Sequence, residues 1–331
     1  MAALALYVTS PYAGAGKTMV CAGLGRHLLG EGRRVGFFKP IVGGIKSQEA
    51  IDSDAEFMKR VLSLKESLNS ICPVVGGEGE LATKIKQAYA RVARGKDVVI
   101  VEGVWRQRPG GKPIEAPYQV VKALDARVII VEPYSDGLPR AISAYKGFGE
   151  NLLGVLVNRV PPSRLSSRFD KTDVDILGLL PEDRVLLSLT VGELVGHIQG
   201  EILNSTEKSS ELVEEFMLGA MTLDSGLEYF GRKANKAVVV RGERPDMQLA
   251  ALETSTRCLV LAGGVTPTYN VLLKAKNKGI PIILTKGDIN ATVRSIELAL
   301  GKTRFNQEKK LPRLGEIMGQ LNLQALYKGL A

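Results

Sequence analysis

The chain has 331 residues, with 44 Lys and Arg against 35 Asp and Glu, for a formal net charge of +9. Its 45% hydrophobic and 24% charged content excludes disordered, collagen-like and fibrous classes, and its length suits two domains. Three cysteines, none in a Cys-x-x-Cys pair, exclude a disulfide framework and a thiolate zinc site, and two histidines leave little for His-based metal binding or a Ser-His-Asp triad.

The first half alternates short apolar runs with helical patterns. Leu4–Thr9 reads as a buried strand and Lys17–Gly30 as a helix, stopped by Gly30 and Gly32. Arg34–Lys39 is a second strand, ended by Pro40, and 54–64 and 81–94 are helical. Asp97–Glu102, Arg127–Glu132, Leu153–Asn158 and Leu177–Leu180 follow as strands. Asp97–Glu102 is nearly continuously apolar, as a sheet buried on both faces requires. Strands separated by helices predict an α/β fold with a doubly wound, mostly parallel sheet over residues 1–189. Residues 190–218 are expected to form a helical connector, because 201–228 holds seven acidic residues against one Lys. A second, smaller α/β domain is predicted over 219–305, with strands at Lys236–Arg241, Arg257–Ala262 and Ile280–Thr285. A helical tail, 306–331, completes the chain, basic at first and then amphipathic.

No stretch offers the ~20 mostly apolar residues of a spanning helix, and no basic region precedes the short apolar run at the start. A cytoplasmic protein without membrane contact is expected. A basic chain can bind nucleic acid, but no run of Lys and Arg exceeds two and aromatics are 5%. A small anionic ligand is the better expectation, with Trp105–Lys112 offering three cations.

The strongest motif is Ser10-Pro11-Tyr12-Ala13-Gly14-Ala15-Gly16-Lys17-Thr18, between the first strand and the first helix. Small residues let the backbone N–H groups of such a turn converge on phosphate oxygens. Gly14, Ala15 and Gly16 supply that turn, Lys17 the cation for the β- and γ-phosphates, and Thr18 the hydroxyl for Mg²⁺. Mg²⁺ also needs an acid near the end of a buried strand. Glu102 and Asp54 are the candidates, although Asp54 also reads as the start of a helix.

Further motifs come in a telling order: Gly36–Ile41, Ser53-Asp54-Ala55, Val101-Glu102-Gly103, Val157–Val160 and Gly178–Asp183. Together with the phosphate loop, the first half resembles dethiobiotin synthetase-like P-loop proteins, a group that includes the cobyrinic acid amidotransferase synthetases. The second half resembles the DRTGG domain in Gly219-Ala220-Met221, Arg241–Asp246, Gln248–Thr254 and Leu261–Gly264. The combination is similar to the N-terminal region of long bacterial phosphotransacetylases, without their catalytic domain.

The resemblance implies ATP and Mg²⁺ as cofactors, with Lys17 and Lys39 flanking the phosphates in catalytic roles. It implies Thr18, Asp54 and Glu102 on the metal, and Asn158 with Pro181 and Glu182 reading the adenine. It further implies a homodimer, and a phosphotransacetylase-type enzyme as partner. Ala13, Gly43 and the run after Gly103 depart from the synthetase pattern on the side that would hold an amine substrate. A regulatory nucleotide-binding protein is therefore the first expectation, and an ATP-dependent ligase that activates a carboxylate or CO₂ is the second.

Overall fold

The computed structural model describes residues 3–42, 52–75, 81–103, 115–138, 144–166, 174–219 and 226–321. They form two units, 1–182 together with 305–331, and 183–304.

The first unit is built on six parallel strands: β1 (Leu4–Thr9), β2 (Val35–Phe38), β5 (Val98–Glu102), β6 (Arg127–Pro133), β7 (Leu152–Val160) and β8 (Ile176–Pro181), in the order β2-β5-β1-β6-β7-β8. A minor parallel pair, β3 (Ile41–Val42) with β4 (Val74–Val75), lies beside it. The chain leaves β1 for β2, returns through β5 and then crosses β1 to reach β6. That reversal opens a crevice at the carboxyl ends of β5, β1 and β6, where open α/β sheets bind ligands. Alternate side chains fill opposite faces. Tyr7, Val99, Val101, Val128, Ile130, Val155 and Val157 share one core with Ile85, Tyr89 and Val92 of α4 (Leu81–Ala93) and Val120 and Val121 of α5 (Glu115–Leu124). α2 (Ser53–Val61) and α3 (Leu68–Ile71) follow β3.

Helix α1 (Lys17–Gly30) is apolar all round, and eight of its residues are buried. A helix of that kind must be covered on two sides. Gly25 lies against Leu62 and Ile100, and Gly23 against Met318 of the C-terminal helix, α12 (Leu311–Met318). The tail thus packs on its own unit over Leu311–Met318, with Leu311, Leu314, Ile317 and Met318 buried, and residues 322–331 lie outside the described residues.

The second unit holds β12 (Glu215–Gly219), β13 (Lys236–Arg241), β14 (Thr256–Ala262) and β15 (Ile282–Leu284), parallel to one another, with the short β10 (Glu201–Ile202) antiparallel at one edge. Side-chain parity again sorts the core. Val238, Val240, Leu259, Leu261 and Ile282 face α8 (Gly226–Gly231), α9 (Pro245–Leu252) and α10 (Tyr269–Lys278). Ala237, Val239, Cys258, Val260 and Ile283 face α7 (Val191–His197) and α11 (Ile289–Gly301). α6 (Arg184–Leu187) opens this unit. Cys258 is a buried core residue, as are Cys21 and Cys72.

The helical connector expected over 190–218 does not form. Only α7 is helical there, besides one 3₁₀ turn. β9 (Leu189–Thr190) pairs with β11 (Leu212–Val213), and β12 is a strand of the second sheet. Three of the seven acidic residues that suggested a solvated helix are instead paired. Glu211 meets Arg257 at 3.2 Å, Glu214 accepts from Asn235 at 2.9 Å, and Glu215 meets Lys233 at 2.7 Å. The strand that follows buries Met217 and Gly219. No helix among the described residues is long and apolar enough to cross a membrane.

Candidate nucleotide site at the phosphate loop

The loop from Ser10 to Gly16 leaves the end of β1 and enters α1. Ser10 is buried, and its hydroxyl accepts the Tyr12 N–H at 3.1 Å, which starts the turn. Gly14 (φ 70°) and Gly16 (φ 100°) take left-handed conformations that disfavour any side chain. At Gly16 space forbids one as well: a Cβ would stand 2.3 Å from Asn158 Nδ2. Asn158, buried at the end of β7, donates that amide to the Ala15 carbonyl at 2.8 Å and accepts from the Arg159 N–H at 2.9 Å. Arg159 donates its guanidinium to the Gly14 carbonyl at 3.1 Å. The loop is held from behind by two neighbouring side chains of β7.

On the opposite side stands the charge. Lys17 bends its ammonium back to the Tyr12 carbonyl, at 3.2 Å. Burial lowers its pKa, partly countered by Glu102. Thr18 donates its hydroxyl to Glu102 Oε1 at 3.0 Å. The β1–β5 register, with Val8 opposite Glu102, brings the two together. After Glu102 the chain must turn under Tyr7. A Cβ at Gly103 would stand 2.0 Å from the Tyr7 ring, so glycine is required there.

Glu102 is 4% exposed, and its Oε2 is buried without a hydrogen-bond partner. Burial pushes its carboxyl pKa up against the opposing pull of Lys39. Lys39 sits just past β2, and its ammonium reaches Asp54 Oδ2 at 2.6 Å, Asp52 Oδ1 at 3.0 Å and Glu102 Oε1 at 3.7 Å. Burial alone would lower its pKa, but Glu102, Asp54 and Asp52 outweigh that and hold it charged.

Sequence reasoning missed Asp52. It caps α2 by accepting from the Asp54 and Ala55 N–H groups at 3.0 and 2.9 Å, so the cap suspected at Asp54 belongs two residues earlier. Asp54 is thereby free to face Lys39. The Asp-Ser-Asp run was the signal that could have found this. Glu132 was also missed. It ends β6 beside the loop strand, is 2% exposed, and accepts the Tyr145 hydroxyl on Oε2. Burial raises its pKa. Pro181 and Glu182 lie at the end of β8. Pro181 pairs with Val160, and the Glu182 N–H donates to the Val160 carbonyl at 2.8 Å, so both adjoin the Asn158 segment. Gly43 and Trp105–Lys112 lie outside the described residues, as do Ala220 and Met221.

These donors fit Mg²⁺ carried by a nucleotide. Such an ion takes oxygen ligands, keeps several waters and needs only one or two carboxylates besides phosphate. Thr18 Oγ1, Glu102 with its partnerless oxygen, and Asp54 meet that need. Among the described residues no group of three His, Cys, Asp or Glu side chains could hold an ion without such help. The left-handed glycines and Lys17 fit the phosphates.

Residues 5–188 match the AAA domain family, and residues 193–299 match the DRTGG domain. The chain is 25% identical over 335 aligned positions to a phosphate acetyltransferase of Nitrosomonas europaea, covering 91% of this chain and 47% of that one. It is 25% identical over 182 positions to the ATP-dependent dethiobiotin synthetase BioD of Caldicellulosiruptor saccharolyticus, covering 46% of this chain and 73% of that protein. A solved structure of the CBS and DRTGG domains of Clostridium perfringens pyrophosphatase, complexed with diadenosine tetraphosphate, is 22% identical, with a TM-score of 0.31, and covers 41% of this chain and 54% of that one. The chain spans about half the length of the phosphate acetyltransferases it matches. With residues 5–188, more than half of the chain, matched, the chain belongs to the AAA domain family, and it carries a DRTGG domain over 193–299.

Proposed function

We propose that this chain binds ATP with Mg²⁺ in its first unit and acts as a regulatory, ligand-sensing protein through its DRTGG domain, in connection with acetyl-phosphate metabolism. The observation that carries the nucleotide reading is Glu102, a buried carboxylate with one oxygen on the Thr18 hydroxyl and the other without a partner. Lys39 reaches only the first of these oxygens, at 3.7 Å, so a metal ion would complete the second. Lys17 would take the β- and γ-phosphates, and Thr18, Asp54 and Glu102 would hold the metal. A bound Mg²⁺ would neutralise charge on the terminal phosphates. Asn158, Pro181 and Glu182 would face the adenine. The link to acetyl-phosphate chemistry, a homodimer and a phosphotransacetylase-type partner are supported by the relatives alone.

The test is thermal. Mg-ATP should raise the melting temperature of the wild-type chain, and Lys17→Ala should abolish the rise. A wild-type chain that shows no nucleotide-dependent shift would sink the reading.

Lys39 favours a second reading. Its contacts to Asp54 and Glu102 keep a cation beside the place of the terminal phosphate, as an ATP-dependent ligase that forms an acyl phosphate would need. That reading requires ADP release dependent on an added carboxylic acid or amine. A panel of both that never exceeds background argues against it.

A further inference from the structure

Arg159 has a conformation that its role as a loop brace does not explain. Its φ is 57°, in the left-handed region, which costs a residue with a Cβ roughly 1–2 kcal/mol. The β7–β8 register slips at the same place. Val157 pairs with Leu179 and Val160 with Pro181, so β7 spends three steps where β8 spends two. Such a bulge re-aims side chains and is frequent beside active sites. Strain of this kind persists where the surrounding structure over-determines it, often at functional sites. Here the re-aimed side chain is an exposed guanidinium lying on the outer carbonyl of the phosphate loop.

The direction of a bound nucleotide follows from the charges. Asp52, Asp54, Glu102 and Lys39 crowd the β5 side of the loop, which suits the metal and the terminal phosphate. The nucleoside end must then leave on the other side, over Gly14 toward β7 and β8. Arg159, exposed and bonded to the Gly14 carbonyl, stands on that side. A guanidinium is planar, delocalised and weakly hydrated, and it stacks on aromatic faces.

We infer that Arg159 is a ligand-contacting residue whose guanidinium, anchored on the Gly14 carbonyl, stacks on the nucleobase of the bound nucleotide. The inference rests on the nucleotide reading above and adds a base platform to it. The loop and Lys17 hold the phosphates, and Arg159 makes the site prefer a nucleotide over bare polyphosphate.

The experiment compares Mg-ATP with Mg-tripolyphosphate, which lacks a base, by calorimetry on the full chain. Arg159→Ala should weaken ATP about 3- to 30-fold more than it weakens tripolyphosphate, the range of a cation–π contact. Arg159→Gly, which relieves the left-handed strain, should give the same split at unreduced melting temperature, so that misfolding is not the cause. Arg159→Lys should recover only part of the ATP affinity. Equal weakening of both ligands would reduce Arg159 to a brace and overturn the inference, as would no weakening of either. A wild-type chain that binds tripolyphosphate as tightly as ATP also overturns it, while leaving the phosphate loop intact. A wild-type chain that binds neither ligand overturns the nucleotide reading and this inference with it.

Discussion

Both units are parallel sheets with helices on each face, yet the carboxyl ends of their strands differ in one respect. The first leaves buried polar groups unsatisfied. Glu102 Oε2 and the Thr9 hydroxyl at the end of β1 are buried without a partner, while Glu132 accepts from Tyr145. The second largely satisfies itself. Gly263 and Gly264 donate their N–H groups to the Gly287 and Thr285 carbonyls at 2.8 and 2.9 Å, and the Thr285 hydroxyl donates to the Ile198 carbonyl at 2.8 Å. Arg244 and Asp246 pair with each other at 2.7 Å. One exception there is Gln248, whose Nε2 is bonded while its buried Oε1 is not. The same architecture thus distinguishes an end built for a charged ligand from one that is largely closed on itself. Burying a carboxylate with one oxygen left without a hydrogen bond costs stability that folding alone does not return.

The largest expected effect removes that charge. Glu102→Gln keeps the shape and a hydrogen-bond acceptor for Thr18. It should weaken Mg²⁺-dependent nucleotide binding by about 100-fold, as loss of a metal-site partner does. It should also hold or raise the stability of the nucleotide-free chain, because the buried acid is gone. Titration with and without Mg²⁺ checks both. Unchanged Mg²⁺ dependence would remove Glu102 from the metal site.

Next comes Gly16→Ala. The new Cβ would meet Asn158 Nδ2 at 2.3 Å and would hold a left-handed φ. Strain and overpacking together predict a loss of about 2–5 kcal/mol, with nucleotide binding lost alongside. Urea unfolding measures the first and calorimetry the second. A stable variant with normal binding would show that Asn158 does not pin the loop.

The loop, its strand and its helix were legible because each is a local pattern: an apolar run, a glycine turn and Gly-Lys-Thr. Glu102 and Asp54 were legible as acids at the right ends of predicted elements. The roles of Asp52 and Glu132 were not. Asp52 matters because Lys39 folds back over 13 residues to reach it, and Glu132 because the chain brings Tyr145 to it. The strand β12 stayed hidden for a related reason. Its acid Glu215 meets Lys233, and just before it Glu211 meets Arg257 and Glu214 accepts from Asn235, partners that only the fold brings to them. Resemblance to a family carried the positions of Lys39 and Asn158, which periodicity does not single out.

Among its described residues the second unit does bury one charge, away from the carboxyl ends. Lys236 opens β13, is 0% exposed, and donates to Thr254 Oγ1 and the Ser255 carbonyl, both at 3.0 Å. Burial lowers its pKa from 10.5 to about 8. Between those values the unfolded chain binds more protons than the folded one, so stability should rise with pH from about 8 to about 10.5. The rise is at most ~3 kcal/mol. Lys236→Met should remove it. Denaturant midpoints of both chains at several pH values make the comparison, and parallel profiles would show that the amine stays charged on folding.

The smallest effect tests whether the second set of strand ends is as closed as it looks. Gly264 has φ 72°, and a Cβ there would find its nearest neighbour, Lys286 Cα, at 3.7 Å. Space is adequate, so Gly264→Ala should cost only the torsional penalty, about 1 kcal/mol. Gly264→Asn should cost less, since Asn tolerates the left-handed region. Neither change touches the bond from the Gly264 N–H to Thr285. Both variants should therefore keep the Mg-ATP response of the wild type while the melting temperature falls by a few degrees. Gly16 and Gly264 share the same backbone sign, but only at Gly16 does a buried side chain occupy the space where a Cβ would go. If Gly264→Ala abolished the nucleotide response without a loss of stability, the second set of strand ends would be a ligand site coupled to the first.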